Sequence, residues 1–475
     1  MSYEPPLLAQ NRGRLGSFLY RSFAIVLFGL ILIPEFYHIS SQRIEAWDEA
    51  RHIGSAYEML FRHDYVVNYW QGKKDYWNLK PVLSFLPIIL SVKLFGKGLM
   101  AARLPSLLGF VAIVLGLYRF AARKFSRVEG LYAITLFSIW SQALTAHSFR
   151  VVDADALYCT FYLFCILLCL KRTSLSFCLA CILAALCFLS KSWHALTLLP
   201  RLALTCVLTE RSIRLPFKGM LCGLAPILLW VGVRIYEDGP KFPQRMVTYD
   251  LLKRTGIQIE GHHNPPSFYI TGFVHDYPDL LWQLGFLTLA FIAACWWPRL
   301  RAARFSLGIP SALKAEMLIL AVAVLSVFGM FTAAKTRLFW YTFPAYPILC
   351  VLMTYAFALL RPALKTVAGG LAAVFFVMSF SASWQRTKAL ELPAFYYQLQ
   401  AAAWMPMTNV QKEGVIEQDD YAALLTYLPV PPTAIHIGPD EGKPHTLVIR
   451  DKDAGACDGC ALVSKGDRFD LFYRD

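Results

Sequence analysis

The feature that most constrains this chain is a recurring apolar run close to the length of a membrane crossing. A helix needs about 20 apolar residues to span a bilayer. The chain offers such segments near residues 101–118, 129–147, 155–170, 174–190, 193–209, 217–236, 279–297, 314–333, 340–360 and 364–382. An earlier one, "SFAIVLFGLILIPEF", follows a basic head with Arg12, Arg14 and Arg21. No small-residue cleavage site follows it, which predicts an uncleaved first span rather than a signal peptide. Composition agrees, since only 16% of residues are charged, against about 25% in soluble domains. The net charge of +14 is read as topology, because Lys and Arg collect in cytoplasmic loops, and not as nucleic-acid binding.

The segment "PVLSFLPIILSVKLFG", 81–96, is short and contains Pro87 and Lys93. Stretches of about 10–14 apolar residues are more often interfacial or re-entrant than spanning, and charge decides this one. If 81–96 does not cross, four basic groups share one side with the N-terminus: Arg119–Arg127, Lys171–Arg172, Arg211–Lys218 and Arg299–Lys314. Arg361 and Lys365 join them, and that side is cytoplasmic. If it did cross, every later loop would invert. The sequence therefore predicts an all-α polytopic membrane protein of about eleven transmembrane helices, with interfacial helices in the first outer loop. Residues 1–382 form the transmembrane domain, and 383–475 form a small extracytoplasmic α/β domain with strand-like pieces such as "HTLVIR" and "RFDLFY". Ten of the twelve cysteines lie in apolar segments, where Cys behaves as a small hydrophobe. Cys457 and Cys460 form a C-x-x-C in the tail, with a disulfide favoured in an oxidising compartment; a half metal site or redox pair stays open.

On this topology the unusual polar residues gather on the outer side. "WDEARHIGSAYEML" places Asp48, Glu49 and Arg51 on an amphipathic helix with Ile53, Tyr57 and Leu60 on one face. Asp48 and Arg51 are i, i+3 neighbours, and a self-neutralising surface ion pair is the bland alternative. Asp153 and Asp155 begin a span; helix capping explains one of them well and two less well. Two outer loops with acidic pairs suit a catalytic base with an electrostatic or metal-binding partner. Lys80, Lys191, Lys335 and Arg337 lie outside, against the positive-inside trend, where a phosphate would pair with them; headgroup snorkelling is the alternative. "EGHHNPPSFYI" adds Glu260, His262 and His263. Adjacent histidines do not face one point on a regular element, so at most one joins a metal or substrate.

At this point the residues resemble a known family. "WDEARHIGSAYEML … NYWQGKKDYWNLKPVLSFLP … KLFG … ARLPSLL" is similar to the first periplasmic loop of polyprenyl-phosphate-dependent C-type glycosyltransferases (the GT-C fold). These include bacterial aminoarabinose transferases and, more distantly, dolichyl-phosphate-mannose protein mannosyltransferases. "AAKTRLFWYTFPAYPIL", with Tyr341, Pro344 and Pro347, resembles a later basic-pair element. "HHNPPSFYI" resembles a His-x-x-Pro-aromatic loop. The likeness extends from about residue 18 to 380. It departs at Lys80-Pro81-Val82, where the family has a second Pro, and at Lys191, which precedes Ser-Trp-His rather than Gly-Pro.

The resemblance implies an inverting transferase in the bacterial inner membrane. It would move a sugar from a polyprenyl-phosphate donor to an envelope acceptor on the periplasmic face. Lipid A, lipopolysaccharide or another glycolipid is favoured, with polysaccharide and protein open. Asp48 becomes the base and Asp155, spaced from Arg150 as in the family, the second catalytic carboxylate. Arg51, Lys80, Lys335 and Arg337 become donor-phosphate ligands. Glu49, Asp153, Arg150, His262 and Tyr341 support them, and Glu49, Asp155 and His262 are candidates for a divalent cation. The rival reading is a transporter or flippase of a lipid-linked sugar. Such proteins often show internal repeats and midplane charges; here no repeat is seen and the charges cluster at one interface.

Overall fold

The structure is a computed structural model that describes residues 6–141, 147, 149–209, 214–259, 261, 264–276, 278–301 and 311–475. Helices dominate it. Among the described residues, five stretches are long and apolar enough to cross a membrane: Leu99–Lys124, Ser174–Thr209, Arg214–Asp238, Ser311–Ala333 and Pro362–Lys388. Ala154–Cys169 and Ala345–Ala358 are apolar and shorter. We number the first nine helices α1 (Pro6–Phe36), α2 (Asp48–Arg62), α3 (Leu86–Phe95), α4 (Leu99–Lys124), α5 (Arg127–Ser141), α6 (Ala154–Cys169), α7 (Ser174–Lys191), α8 (Leu199–Thr209) and α9 (Arg214–Asp238).

The chain reverses between α7 and α8. A 3-10 stretch, Ser192–Leu198, follows Lys191, and Phe177 and Cys181 pack against Cys206. That juxtaposition requires the two arms to run back along each other. The ambiguous segment 81–96 becomes a short 3-10 turn and the ten-residue α3. Ten helical residues rise about 15 Å, half of a bilayer core of about 30 Å. The far end of the bundle is tied by Lys124–Glu316 at 2.7 Å and Lys365–Glu129 at 2.6 Å. Both pairs use lysines from loops read above as one basic face.

Pro362–Lys388 runs past residue 383, the point where composition changes. Beyond it stands a five-stranded sheet of order β4-β3-β5-β7-β6. Its strands are β3 (Asn409–Lys412), β4 (Ile435–Ile437), β5 (Thr446–Asp451), β6 (Ala461–Ser464) and β7 (Phe469–Arg474). β3 pairs in parallel with β4 and β5, while β7 is antiparallel to β5 and β6. Cys457 and Cys460 are joined as a disulfide beside Val448 and Phe472.

The tail shares a core with the first loop. Ile53, Tyr57, Phe85, Ile88 and Val92 pack in one cluster with Phe395, Leu399, Tyr421, Leu425 and Leu447. Tyr421 donates to Glu58 Oε1 at 2.9 Å, and Arg43 pairs with Asp419 at 2.6 Å. α2 is therefore clamped between tail and membrane helices. A two-stranded hairpin, β1 (Tyr69–Trp70) and β2 (Lys73–Lys74), packs on it. Gly54 makes this approach possible, because a Cβ there would lie 2.5 Å from the Trp70 ring.

Candidate active site

Asp48 and Glu49 open α2, where carboxylates favour the positive helix end, and they diverge at once. Glu49 is 1% exposed. Its Oε1 accepts from Arg103 Nε at 2.8 Å and from the Val152 amide at 2.9 Å. Its Oε2 accepts from Arg103 Nη2 at 2.9 Å and the Glu45 amide at 2.8 Å. Arg103 also donates to the carbonyls of Ile39, Gln42 and Arg43. One carboxylate thus pins α2, the start of α4 and the turn before α6 together.

Asp48 instead faces a cavity of about 620 Å³, which Glu45, Trp47, Trp77, Lys80, His147, Asp153, Lys191, Arg254, Trp340 and Tyr341 help to line. Its side chain is 33% exposed. Trp47, the residue before the helix, takes φ 69°, an outlier for a bulky side chain. Strain of this kind concentrates at functional sites. His147 lies beyond the end of α5, stacked on Trp340 at 3.7 Å. Its Nδ1 contacts Asp153 in a close hydrogen bond, and its Nε2 stands 3.8 Å from Asp48 Oδ2.

Burial works against a charged His147, and the surrounding carboxylates of Asp153, Asp155 and Asp48 overcome it, raising its pKa to about 10. Asp153 is caught in the same pair: burial pushes it up, but the His147 charge holds it well below the usual carboxylate range. Glu45 moves the other way, to about 7, through burial and then the Glu49 charge.

The sequence-predicted residues separate into three groups. Asp48, Lys80, Asp153 and Tyr341 line the cavity. Asp155 sits just behind it, 2% exposed, in a buried ion pair with Lys191 and 3.5 Å from His147 Nδ1. The others are elsewhere. Arg51 turns to a neighbouring cleft and pairs with Asp75 at 3.1 Å. Arg337 donates to the carbonyls of Thr332 and Asn264, and Lys335 is exposed; neither lines the cavity. Arg150 holds the carbonyls of Pro34, Glu35 and Tyr37. His262 lies outside the described residues. The cations that do line the cavity are Lys80, Lys191 and Arg254. Arg254 contacts Asp250 at 3.3 Å and Tyr341 Oη at 3.1 Å, while among the described residues Lys80 has no ion-pair partner.

For a divalent cation the described residues offer a set other than the expected Glu49, Asp155 and His262, the last of which lies outside them. Glu49 is occupied by Arg103, while Asp155 gives Oδ1 to Lys191 and keeps a buried Oδ2 without a hydrogen-bond partner among the described residues. Asp48, His147 and Asp153 instead bring one ligand atom each within 4.8 Å of one another. Two carboxylate oxygens and an imidazole nitrogen fit such an ion. His147 and Arg254 were missed by sequence reasoning. His147 precedes "SFR" with no motif of its own, and Arg254 follows a π-helix, Met246–Lys253, which shifts the helical register.

Solved structures share this architecture. ArnT from Cupriavidus metallidurans in the apo state superposes with a TM-score of 0.69 at 13% identity, covering 97% of this chain and 98% of that one. The same protein bound to undecaprenyl phosphate gives 0.68 at 14%, covering 95% and 98%. This chain has the C-type glycosyltransferase fold. The dolichyl-phosphate-mannose-protein mannosyltransferase family model matches residues 79–235, a segment of the fold that holds Lys80, Arg103, Asp153, Asp155 and Lys191 but not Asp48. No curated protein sequence matches the chain.

The described residues also enclose an apolar groove of about 750 Å³. It is lined by Phe177, Phe188, Trp193, Leu202, Met246 and their neighbours on α7, α8 and α9. Phe188 and Trp193, on either side of Lys191 in the chain, both line it, and Trp193 donates to the Met246 carbonyl at 2.7 Å.

Proposed function

We propose that the protein is an inverting glycosyltransferase. It moves a sugar from a polyprenyl-phosphate donor to an envelope acceptor, lipid A, lipopolysaccharide or another glycolipid. The observation that carries this reading is one cavity in which Asp48 shares the walls with Lys80, Lys191 and Arg254. The ArnT structure bound to undecaprenyl phosphate supports a lipid-phosphate donor, and the apolar groove lined by Phe188 and Trp193 suits its hydrocarbon chain.

In this mechanism the donor phosphate lies against Lys80 and Arg254. Negative charge grows on it as the sugar–phosphate bond breaks, and fixed cations stabilise that charge more in the transition state than in the ground state. Asp48 removes the proton of the acceptor hydroxyl, which attacks the anomeric carbon from the opposite side and inverts it. General-base catalysis of this kind contributes about 10²–10⁴-fold. Asp153 fixes the His147 ring beside Asp48, and Asp155 fixes Lys191. Asp48, His147 and Asp153 would hold a divalent cation only with His147 deprotonated, its proton displaced by the ion; when bound, the ion supplies electrostatic stabilisation of phosphate charge.

The topology belongs to the same proposal: about eleven spans in a bacterial inner membrane, the N-terminus cytoplasmic, and the tail beyond the last long helix periplasmic, sharing its core with the first loop. The test compares the masses of host envelope glycolipids with the wild-type protein, without it, and with Asp48→Asn. A sugar-sized increment lost in both altered strains is the expected result. An increment lost on deletion and kept by Asp48→Asn would favour a donor carrier. No change in either would remove the glycolipid acceptor from the proposal.

A further inference from the structure

A second polar cleft lies against the first. It measures about 430 Å³, and its walls include Arg51, Lys73, Lys74 and Arg245 against one carboxylate, Asp75. Trp77 lines both spaces, so one indole borders the cleft and the cavity. Asp48 and Arg51, one turn apart on α2, serve one space each.

The cleft is built rather than incidental. Asp75 is 5% exposed and its Oδ1 accepts from the amides of Trp77 and Asn78 at 2.8 and 3.1 Å, which fixes the turn carrying Trp77. Its other oxygen takes Arg51, whose guanidinium lies over the rings of Trp77 at 4.3 Å and Trp70 at 4.8 Å. The hairpin that brings Lys73 and Lys74 turns at Gln71 and Gly72, with φ 50° and 78°. Two successive positive φ values belong to the tight turn that suits paired strands. Lys74 is paired with Asp238 at 2.7 Å. Among the described residues, Lys73 and Arg245 have no ion-pair partner, and Arg51 Nε has no hydrogen-bond partner. The cleft therefore holds a surplus of positive charge beside indole faces. Cations recognise phosphate or carboxylate; Arg51 covers one face of Trp70 and of Trp77, and the aromatic surface it leaves, with Tyr76 and Gln71 on the walls, suits a sugar unit better than a flexible lipid headgroup.

We propose that this cleft is a subsite for an anionic sugar unit of the acceptor, held by Lys73, Arg245 and Arg51 while the acceptor hydroxyl reaches past Trp77 towards Asp48. The assignment rests on the transferase reading above. The test uses the full chain in nanodiscs and measures binding of glucose 6-phosphate, glucuronate and glucose by calorimetry. Wild type and Asp48→Asn bind at least one anionic probe alike, and glucose binds about tenfold more weakly, as loss of a charge-assisted hydrogen bond implies. Lys73→Ala/Arg245→Ala, altering two exposed side chains, weakens the anionic probe by about tenfold and leaves glucose unchanged. The tighter anion names the group. Equal affinity for glucose and both anions, or an unchanged Kd in the double variant, overturns the proposal. So does abolition of binding when phosphatidylglycerol replaces phosphatidylcholine, because the cleft would then be a headgroup site. Probe binding without any sugar transfer by wild type would remove the transferase reading and keep an anionic-sugar site. Transfer that persists while the double variant binds normally would remove only the subsite.

Discussion

Asp48 and Glu49 are adjacent in the chain and opposite in their surroundings. Glu49 has both oxygens filled by Arg103 and two backbone amides and is sealed from solvent. Asp48 is one-third exposed, with a histidine at 3.8 Å and a cavity before it. A carboxylate whose acceptors are all satisfied by fixed donors has no capacity left for a substrate. One that is held in place but incompletely satisfied has. The difference separates a structural acid from a candidate base more sharply than residue type does.

The strongest way to break the comparison is to neutralise each acid in turn. Asp48→Asn should lower transfer by about 10²–10⁴-fold and leave the melting temperature in nanodiscs within about 2 °C, since surface-facing changes cost little. Full transfer by this variant would remove Asp48 from the chemistry. Glu49→Ala leaves Arg103 buried without its partner and should cost about 3–5 kcal/mol of stability, read as a large fall in melting temperature or loss of folded protein. A Glu49→Ala protein that melts like wild type and merely loses activity would reverse the two roles.

His147 sharpens the contrast through pH. Its folded pKa, about 10, lies above the ordinary 6.5. The stabilisation it contributes is therefore fully present below about pH 6.5 and lost as pH rises through about 10. Melting curves of wild type kept metal-free with a chelator should fall across that window, and those of His147→Gln should be flatter. An unchanged slope in the variant would place the titration elsewhere. The smallest effect is expected at the tail contact: Tyr421→Phe removes one buried hydrogen bond to Glu58 and should cost about 1 kcal/mol, measurable by urea titration of the outer part.

Much of this site was legible in the sequence because membrane topology is one-dimensional. Charge and run length put Asp48, Lys80, Asp153 and Lys191 on one side, and they meet in one region of the structure. What the sequence did not carry was the direction in which each side chain turns. Arg51 and Asp48 share a helix turn, yet Trp70, Trp77 and Asp75 draw Arg51 away. Lys335 and Arg337 follow a family-like motif, but Arg337 is consumed by the carbonyls of Thr332, at a helix end, and Asn264. Arg254 reaches the cavity through a π-helical stretch that no regular period announces. The choice of Asp155 over Asp153 followed the spacing from Arg150. The structure puts Asp153 on the cavity wall and Asp155 one step behind, on Lys191. The union of tail and first loop was equally hidden, because contacts between Glu58 and Tyr421, 363 residues apart, leave no local pattern.

The Glu49 cluster also sets an order of events at the ribosome. Arg103 follows Glu49 by 54 residues and Val152 follows it by 103. At a synthesis rate of 5–20 residues per second, Glu49 waits about 5–20 s for its last donor. For the first 54 residues of that interval Glu49 has only the Glu45 amide among its final donors, and until Val152 is made one acceptor position on Oε1 stays open. The loop that presents Asp48 is thus locked late, by a residue made long after it.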